Sequence, residues 1–153
     1  MQLTDVMATH VVSVSPDTKL GDAARLMVET DVGAAIVLDE EGGLAGVITE
    51  RDLMRSVSDG TDPATPVDQR MTTHVLTASP DTNIPEAMAL MVDGHFRHLP
   101  VVNEDGDVIG IVSMRDLMAY TSLRLRGGSL GSDDDLDPAE VIATIFRMRT
   151  GAA

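Results

Sequence analysis

Gly46-Val47-Ile48-Thr49-Glu50-Arg51-Asp52-Leu53-Met54 comes back about 64 residues later as Gly110-Ile111-Val112-Ser113-Met114-Arg115-Asp116-Leu117-Met118. Both stretches have the form Gly, two aliphatics, a hydroxyl residue, two variable residues, Asp. Working outward, Met7 to Met54 lies over Met71 to Met118 without a gap, with about 20 of about 48 positions identical. Thr9-His10-Val11 matches Thr73-His74-Val75, and Ser15-Pro16-Asp17-Thr18 matches Ser79-Pro80-Asp81-Thr82. An ungapped duplication of this length implies two copies of one supersecondary unit. The expected fold is α/β, with the copies packed about a pseudo-two-fold axis and related clefts between them. That points to function by binding at the interface of the repeats.

Each copy reads β-α-β-β-α. In the first, Val11 to Val14 fits a strand, and Ser15-Pro16-Asp17-Thr18 ends it, with Thr18 as a helix N-cap. Leu20, Ala23, Ala24, Met27 and Val28 then recur at helical spacing. Ala35 to Leu38 and Leu44 to Ile48 form a hairpin around an acidic, Gly-rich turn. Thr49 caps a helix to about Val57. In the second copy the strands fall at Val75–Ala78, Leu99–Val102 and Val108–Val112, and the helices at Ile84–Val92 and Met114–Leu123. The domain reading is therefore repeat 1 over 1–57, a linker over 58–66 and repeat 2 over 67–123. A flexible acidic linker follows over 124–136, then a helix over 137–150. That last helix opens on Asp137-Pro138-Ala139-Glu140, with Asp as N-cap, Pro at N1 and Glu at N3. Val141, Ile142, Ile145 and Met148 line one of its faces, and nothing in the repeats offers it a partner.

At 153 residues and 43% hydrophobic content, the chain can bury one shared core. With only 2% aromatics that core is aliphatic, and ten Met residues make its packing adaptable. No Cys is present, which excludes disulfides and thiolate metal sites and fits a reducing compartment. No charged-then-apolar leader opens the chain and no apolar run matches a bilayer, so a cytoplasmic protein is expected, with no membrane partner. The net charge of −14, with no basic stripe against it, repels nucleic acid. A solvated acidic surface, or adaptation to high salt, accounts for it.

The duplicated motif admits two chemistries. A hydroxyl residue followed three later by an acid resembles a capping box, which stabilises a helix start with no ligand present. The same geometry can also hold a nucleotide. A helix N-terminus offers backbone N–H groups and a positive dipole end to a phosphate, and the hydroxyl of Thr49 or Ser113 can join them. The carboxylate of Asp52 or Asp116 can accept hydrogen bonds from both hydroxyls of a ribose. Arg51 and Arg115 can neutralise phosphate, and Gly46 or Gly110 lets a backbone or ligand come close.

The double β-α-β-β-α pattern and the paired motifs closely resemble the CBS domain family, two of whose repeats make a Bateman module. Val6-Met7 and Arg70-Met71 resemble the family's opening, Val14-Ser15-Pro16-Asp17-Thr18 and its copy the exit from the first strand, and Phe96 to Val102 the second strand. The resemblance covers about Met1 to Ser122. It implies a non-catalytic regulatory or sensor module, a stand-alone one, that binds AMP, ADP, ATP or S-adenosylmethionine as a regulatory ligand with no obligatory cofactor. It also implies a homodimer that signals to a partner protein the sequence does not name. By position, Asp52 and Asp116 would hold ribose while Thr49 and Ser113 approach phosphates. Adenine would rest against Val11, Val12, Ala35 and Ile36 in one cleft, and Val75, Leu76, Leu99 and Pro100 in the other, with His98 as a polar wall of the second. Gly33-Ala34 and Ile36 stand where repeat 2 has Arg97-His98 and Pro100, so the clefts are expected to differ in affinity.

The alternative is an interaction or stress-response scaffold in which the motifs serve as caps only. His10, His74, His95 and His98 make a weak metal set: no Cys and no helical i, i+4 His pair accompanies them. No Ser-His-Asp order, nucleophile elbow or Walker loop supports catalysis.

Overall fold

The computed structural model describes residues 1–126. The acidic stretch from Gly127 and the helix expected over 137–150 lie outside the described residues. The chain forms two compact units, neither continuous in sequence. Among the described residues, one comprises His10–Leu76 with Glu104–Val108, the other Met1–Thr9, Thr77–Asn103 and residues 109–126.

The first of these is built on β1 (Ser13–Val14), α1 (Leu20–Glu29), β2 (Ala34–Leu38), β3 (Leu44–Thr49) and α2 (Glu50–Ser58). The strands form one sheet in the order β1-β2-β3. β1 runs parallel to β2, with Ser13 opposite Ile36, and β2 runs antiparallel to β3, with Ala35 opposite Ile48. As the central strand, β2 is covered on both faces, which is why Ala34-Ala35-Ile36-Val37 is continuously apolar rather than alternating. The hairpin turn is closed by Asp39, whose Oδ1 accepts from the N–H groups of Glu41 at 3.0 Å and Gly43 at 2.8 Å. Leu20, Ala23 and Met27 of α1 are buried with Val12, Ala35, Val37 and Ile48, an aliphatic core of the composition expected.

The helix start differs from expectation. Thr18 does not cap α1: its Oγ1 accepts from the Ser15 N–H at 3.2 Å, inside the Ser15–Thr18 turn, and the N-cap position is Lys19, with no side-chain cap. The opening amides of α1 are satisfied by the linker instead. Leu20 N–H donates to the Thr65 carbonyl and Gly21 N–H to that of Pro63, both at 2.9 Å. A tertiary partner has replaced the local one.

The other unit holds α3 (Ile84–Asp93), β4 (His98–Val102), β5 (Val108–Ser113) and α4 (Met114–Arg126), with β4 beside β5. Here the cap is local: Asn83 Oδ1 accepts from Glu86 N–H at 2.9 Å, with Pro85 in the first turn. α4 continues through Arg126, past the Leu123 expected, because no helix breaker stands before Gly127. Leu3, Ile84, Ala87, Met91, Leu99, Val101, Val112 and Leu117 form the core.

The first strands are shorter than expected. Only Ser13–Val14 forms a strand in the first copy, although Ile36 N–H also donates to the Val12 carbonyl at 2.9 Å. Of Val75–Ala78 only a parallel bridge from Ala78 to Val101 remains. The matched residues explain the difference. Pro100 stands in the place of Ile36 and has no N–H to donate to a carbonyl in the Val12 position.

Two short 3-10 turns, Leu3–Asp5 and Val67–Gln69, went unforeseen. Each sits in the unit built on the opposite repeat. Leu3 N–H donates to the Thr82 carbonyl at 2.9 Å, and Ala8 and Ile111 exchange backbone hydrogen bonds at 2.8 and 3.0 Å. In the other unit Val67 N–H donates to the Thr18 carbonyl at 2.8 Å, and Val47 and Thr72 exchange bonds at 3.0 and 2.9 Å. Leu3 and Val67 are wholly buried, each contributing about 2 kcal/mol of apolar burial. No helix of the described residues is long and apolar enough to cross a membrane.

Candidate ligand-binding site

Both motifs form the same structure. β3 ends at Thr49 in an extended conformation and α2 begins at Glu50. Asp52 Oδ2 accepts from the Thr49 N–H at 2.9 Å and from the Thr49 hydroxyl at 2.7 Å, and the Asp52 N–H donates back to Thr49 Oγ1 at 3.3 Å. Between β5 and α4, Asp116 Oδ2 accepts from the Ser113 N–H at 2.9 Å and its hydroxyl at 2.8 Å, and the Asp116 N–H donates to Ser113 Oγ at 3.3 Å. These are complete reciprocal caps, with a carboxylate at the positive end of a helix dipole.

The amides thought open to phosphate are partly engaged. Glu50 N–H donates to the Gly33 carbonyl at 3.1 Å and Met114 N–H to the Arg97 carbonyl at 2.9 Å. Gly33 and Arg97 are matched positions with unlike side chains, yet the backbone makes the same bond in both. A phosphate at either helix start would therefore meet the hydroxyl and the exposed Arg51 or Arg115 as well as amides that must change partner.

The motif glycines have a packing cause. A Cβ on Gly46 would lie 2.6 Å from Met71 Sδ and 2.7 Å from the Thr72 carbonyl oxygen. On Gly110 it would lie 2.5 Å from Met7 Sδ. The close approach expected at these glycines is made by the opening segment of the other repeat.

The two acids differ in access. Asp116 is 2% exposed, whereas Asp52 is half-buried and its Oδ1 takes no hydrogen bond among the described residues. One helical turn on, Ser56 and Tyr120 occupy matched positions, both buried, and the Ser56 hydroxyl donates to the Asp52 carbonyl at 2.8 Å. Ser against Tyr lies just beyond the matched stretch from Met7 to Met54, so the sequence comparison passed over a signal it contained.

Thr49, Arg51, Asp52, Val11, Val12, Ala35 and Ile36 fall together in one unit, joined there by Val75 and Leu76. Ser113, Arg115, Asp116, His98, Leu99 and Pro100 fall in the other. Val12, Ala35, Ile36, Leu99 and Pro100 are buried, Val11, Val75 and His98 half-buried, and Leu76 exposed. His10 and His74 are exposed, and His95 adopts φ of 55° just past Gly94, the C-cap of α3. Among the described residues no group of three or more His, Cys, Asp or Glu is placed to hold a metal ion.

The model of the CBS domain matches residues 3–59 and again 67–122. The chain belongs to the CBS domain family. This CBS pair is 38% identical over 114 residues to the CBS domain-containing protein YhcV of Bacillus subtilis, covering 74% of this chain and 80% of the relative. The crystal structure of a CBS-domain containing protein from Agrobacterium tumefaciens is 31% identical, with a TM-score of 0.75, covering 79% of this chain and 99% of that one. The structure of CBSX2 in complex with AMP is 30% identical, with a TM-score of 0.66, covering 82% of this chain and 98% of that one. The mixed helix and strand architecture described above is that of the CBS pair.

Proposed function

We propose that this CBS pair is a regulatory module that binds an adenosyl ligand, one of AMP, ADP, ATP or S-adenosylmethionine, and does no catalysis. The observation that carries this reading is the repeated placement of a hydroxyl and a carboxylate at a helix start, Thr49 with Asp52 and Ser113 with Asp116, in a chain 30% identical to a protein solved with AMP. Asp52 and Asp116 accept from the ribose hydroxyls, and Thr49, Ser113, Arg51 and Arg115 approach the phosphates. Occupancy shifts the population between two packings and so alters the surface offered to a partner protein. The module works as a homodimer through its helices, which the exposed Val28, Met54 and Val57 of α1 and α2 favour.

Calorimetric titration of the parent, Asp52→Ala and Asp116→Ala with AMP, ATP and S-adenosylmethionine tests the reading. Loss of a charge-assisted hydrogen bond to ribose lowers affinity about 10- to 100-fold in at least one variant. If both variants bind as the parent does, the ribose assignment is wrong.

The completeness of the two caps favours a second reading, an interaction scaffold in which the motifs only start helices. It expects no thermal shift with any of the three ligands, and a loss of about 1 kcal/mol on Thr49→Ala.

A further inference from the structure

We propose that the Thr49–Asp52 site selects its adenosyl ligand by charge, taking one that is a net cation without phosphate and disfavouring ATP. This rests on the adenosyl reading above and narrows it at one of the two motifs. The donors at the start of α2 are already engaged. The Thr49 N–H and hydroxyl both donate to Asp52 Oδ2, the Asp52 N–H donates to Thr49 Oγ1, and the Glu50 N–H donates to the Gly33 carbonyl. A phosphate needs donors of this kind, and would have to take them from their present acceptors. What the site leaves open is an acceptor. Asp52 is half-buried, and its Oδ1 takes no hydrogen bond among the described residues. An open carboxylate oxygen accepts from ribose hydroxyls and attracts a cation, but repels an anion.

The neighbouring side chains carry the same sign. Glu50, the first residue of α2, is exposed, and Arg51 stands between it and Asp52. The Glu50–Gly33 bond ties Asp31-Val32-Gly33-Ala34 to this helix start, and that segment adds an acid and no base. In the other unit the same backbone bond, from the Met114 N–H to the Arg97 carbonyl, ties His95-Phe96-Arg97-His98 to the start of α4. Arg97 and Arg115 are exposed there, and among the described residues neither forms an ion pair. Asp31 against His95, Gly33 against Arg97, Ala34 against His98 and Glu50 against Met114 all differ in one sense, the second unit being the less acidic or the more basic. The acceptor differs too, since Asp116 is 2% exposed. One backbone design thus presents an open, acidic site at Asp52 and a covered acid among cations at Asp116. Of the adenosyl ligands, S-adenosylmethionine carries a sulfonium and an ammonium against one carboxylate, whereas AMP, ADP and ATP are anions. The first matches the charge at Asp52.

The test is calorimetric titration of the full chain with S-adenosylmethionine, ATP and uncharged adenosine. The proteins are the parent, Asp52→Ala, Glu50→Gln and Glu50→Lys. Affinities for the two charged ligands are read relative to adenosine in the same protein, so that a general weakening of the helix start cancels. At the site lost in Asp52→Ala, the parent is expected to bind S-adenosylmethionine about tenfold or more tightly than ATP. Glu50→Lys shifts that ratio about tenfold or more toward ATP, with Glu50→Gln in between. Added salt weakens S-adenosylmethionine at this site and leaves adenosine unchanged. If ATP binds there as tightly as S-adenosylmethionine, or if Glu50→Lys leaves the ratio where it was, charge selection is overturned and the adenosyl reading stands. If none of the three ligands binds, the adenosyl reading is overturned and this inference goes with it.

Discussion

Asp31 and His95 occupy matched positions, and both take positive φ, 54° and 55°. Each follows the end of a helix. Val32 N–H reaches back to the Met27 carbonyl at 3.0 Å and Phe96 N–H to that of Met91 at 3.1 Å, the six-to-one bond of a Schellman ending. Asp and His tolerate this left-handed conformation better than most residues, and β-branched residues tolerate it worst. Asp31→Val is expected to lower stability by about 1–2 kcal/mol while Asp31→Gly leaves it unchanged or raises it, as read by denaturant midpoints. Equal effects of Val and Gly would mean the backbone there is not held as described. The motif glycine gives a second prediction at this scale. Gly46→Ala forces Met71 and the Thr72 backbone to move, at an expected cost of about 1–3 kcal/mol. A wild-type unfolding midpoint in that variant would refute the close approach.

At the scale of elements, the two copies share a design and differ in how strongly the first strand is tied in. Ile36 lies in the central strand of its sheet, and its N–H is bonded to Val12. Ile36→Pro should therefore cost about 3 kcal/mol or more. The reverse exchange, Pro100→Ile, restores a donor where only a bridge exists and should cost less than about 1.5 kcal/mol, as a swap between apolar residues. Similar losses in both variants would undo this account of the shortened strand. The helices and hairpins were legible to within three residues at their ends, because Leu20, Ala23 and Met27 show helical spacing and the apolar runs at Ala34 and Val108 are bounded by acidic turns. The Thr49 and Ser113 caps were legible for the same local reason. The cap of α1 was not. Thr18 looks like an N-cap, and only the folded linker shows that the carbonyls of Pro63 and Thr65 serve instead.

At the scale of the whole molecule, the least legible feature is the exchange of opening segments. Leu3 and Val67 read as ordinary apolar residues near the start of each copy, and nothing local says that each is buried in the unit built on the other copy. Leu3→Ala is expected to cost about 2–4 kcal/mol. The first loss of amide protection should fall at Ile111 and Ala8, in the unit built on the second repeat, before any at Val47 and Thr72. The opposite order, read by native-state hydrogen exchange, would contradict the assignment of the segment. The candidate site was legible as chemistry, since the hydroxyl and carboxylate sit where the motif predicts. It was not legible as access, because the burial of Asp116 depends on packing that spacing does not encode.

The exchanged opening segment also orders events in time. Residues Leu3 to Ala8 leave the ribosome well before their hydrogen-bond partners at Pro80, Thr82 and Ile111, which lie about 75 to 105 residues later in the chain. Contacts separated this far along the chain form slowly. The sheet of β1, β2 and β3 has all its strands by Thr49 and can assemble while the opening segment is still waiting. This segment, made before the strands of that sheet, thus finds its place after them. Until it does, Leu3 and Val6 stay exposed on the nascent chain, within reach of a chaperone.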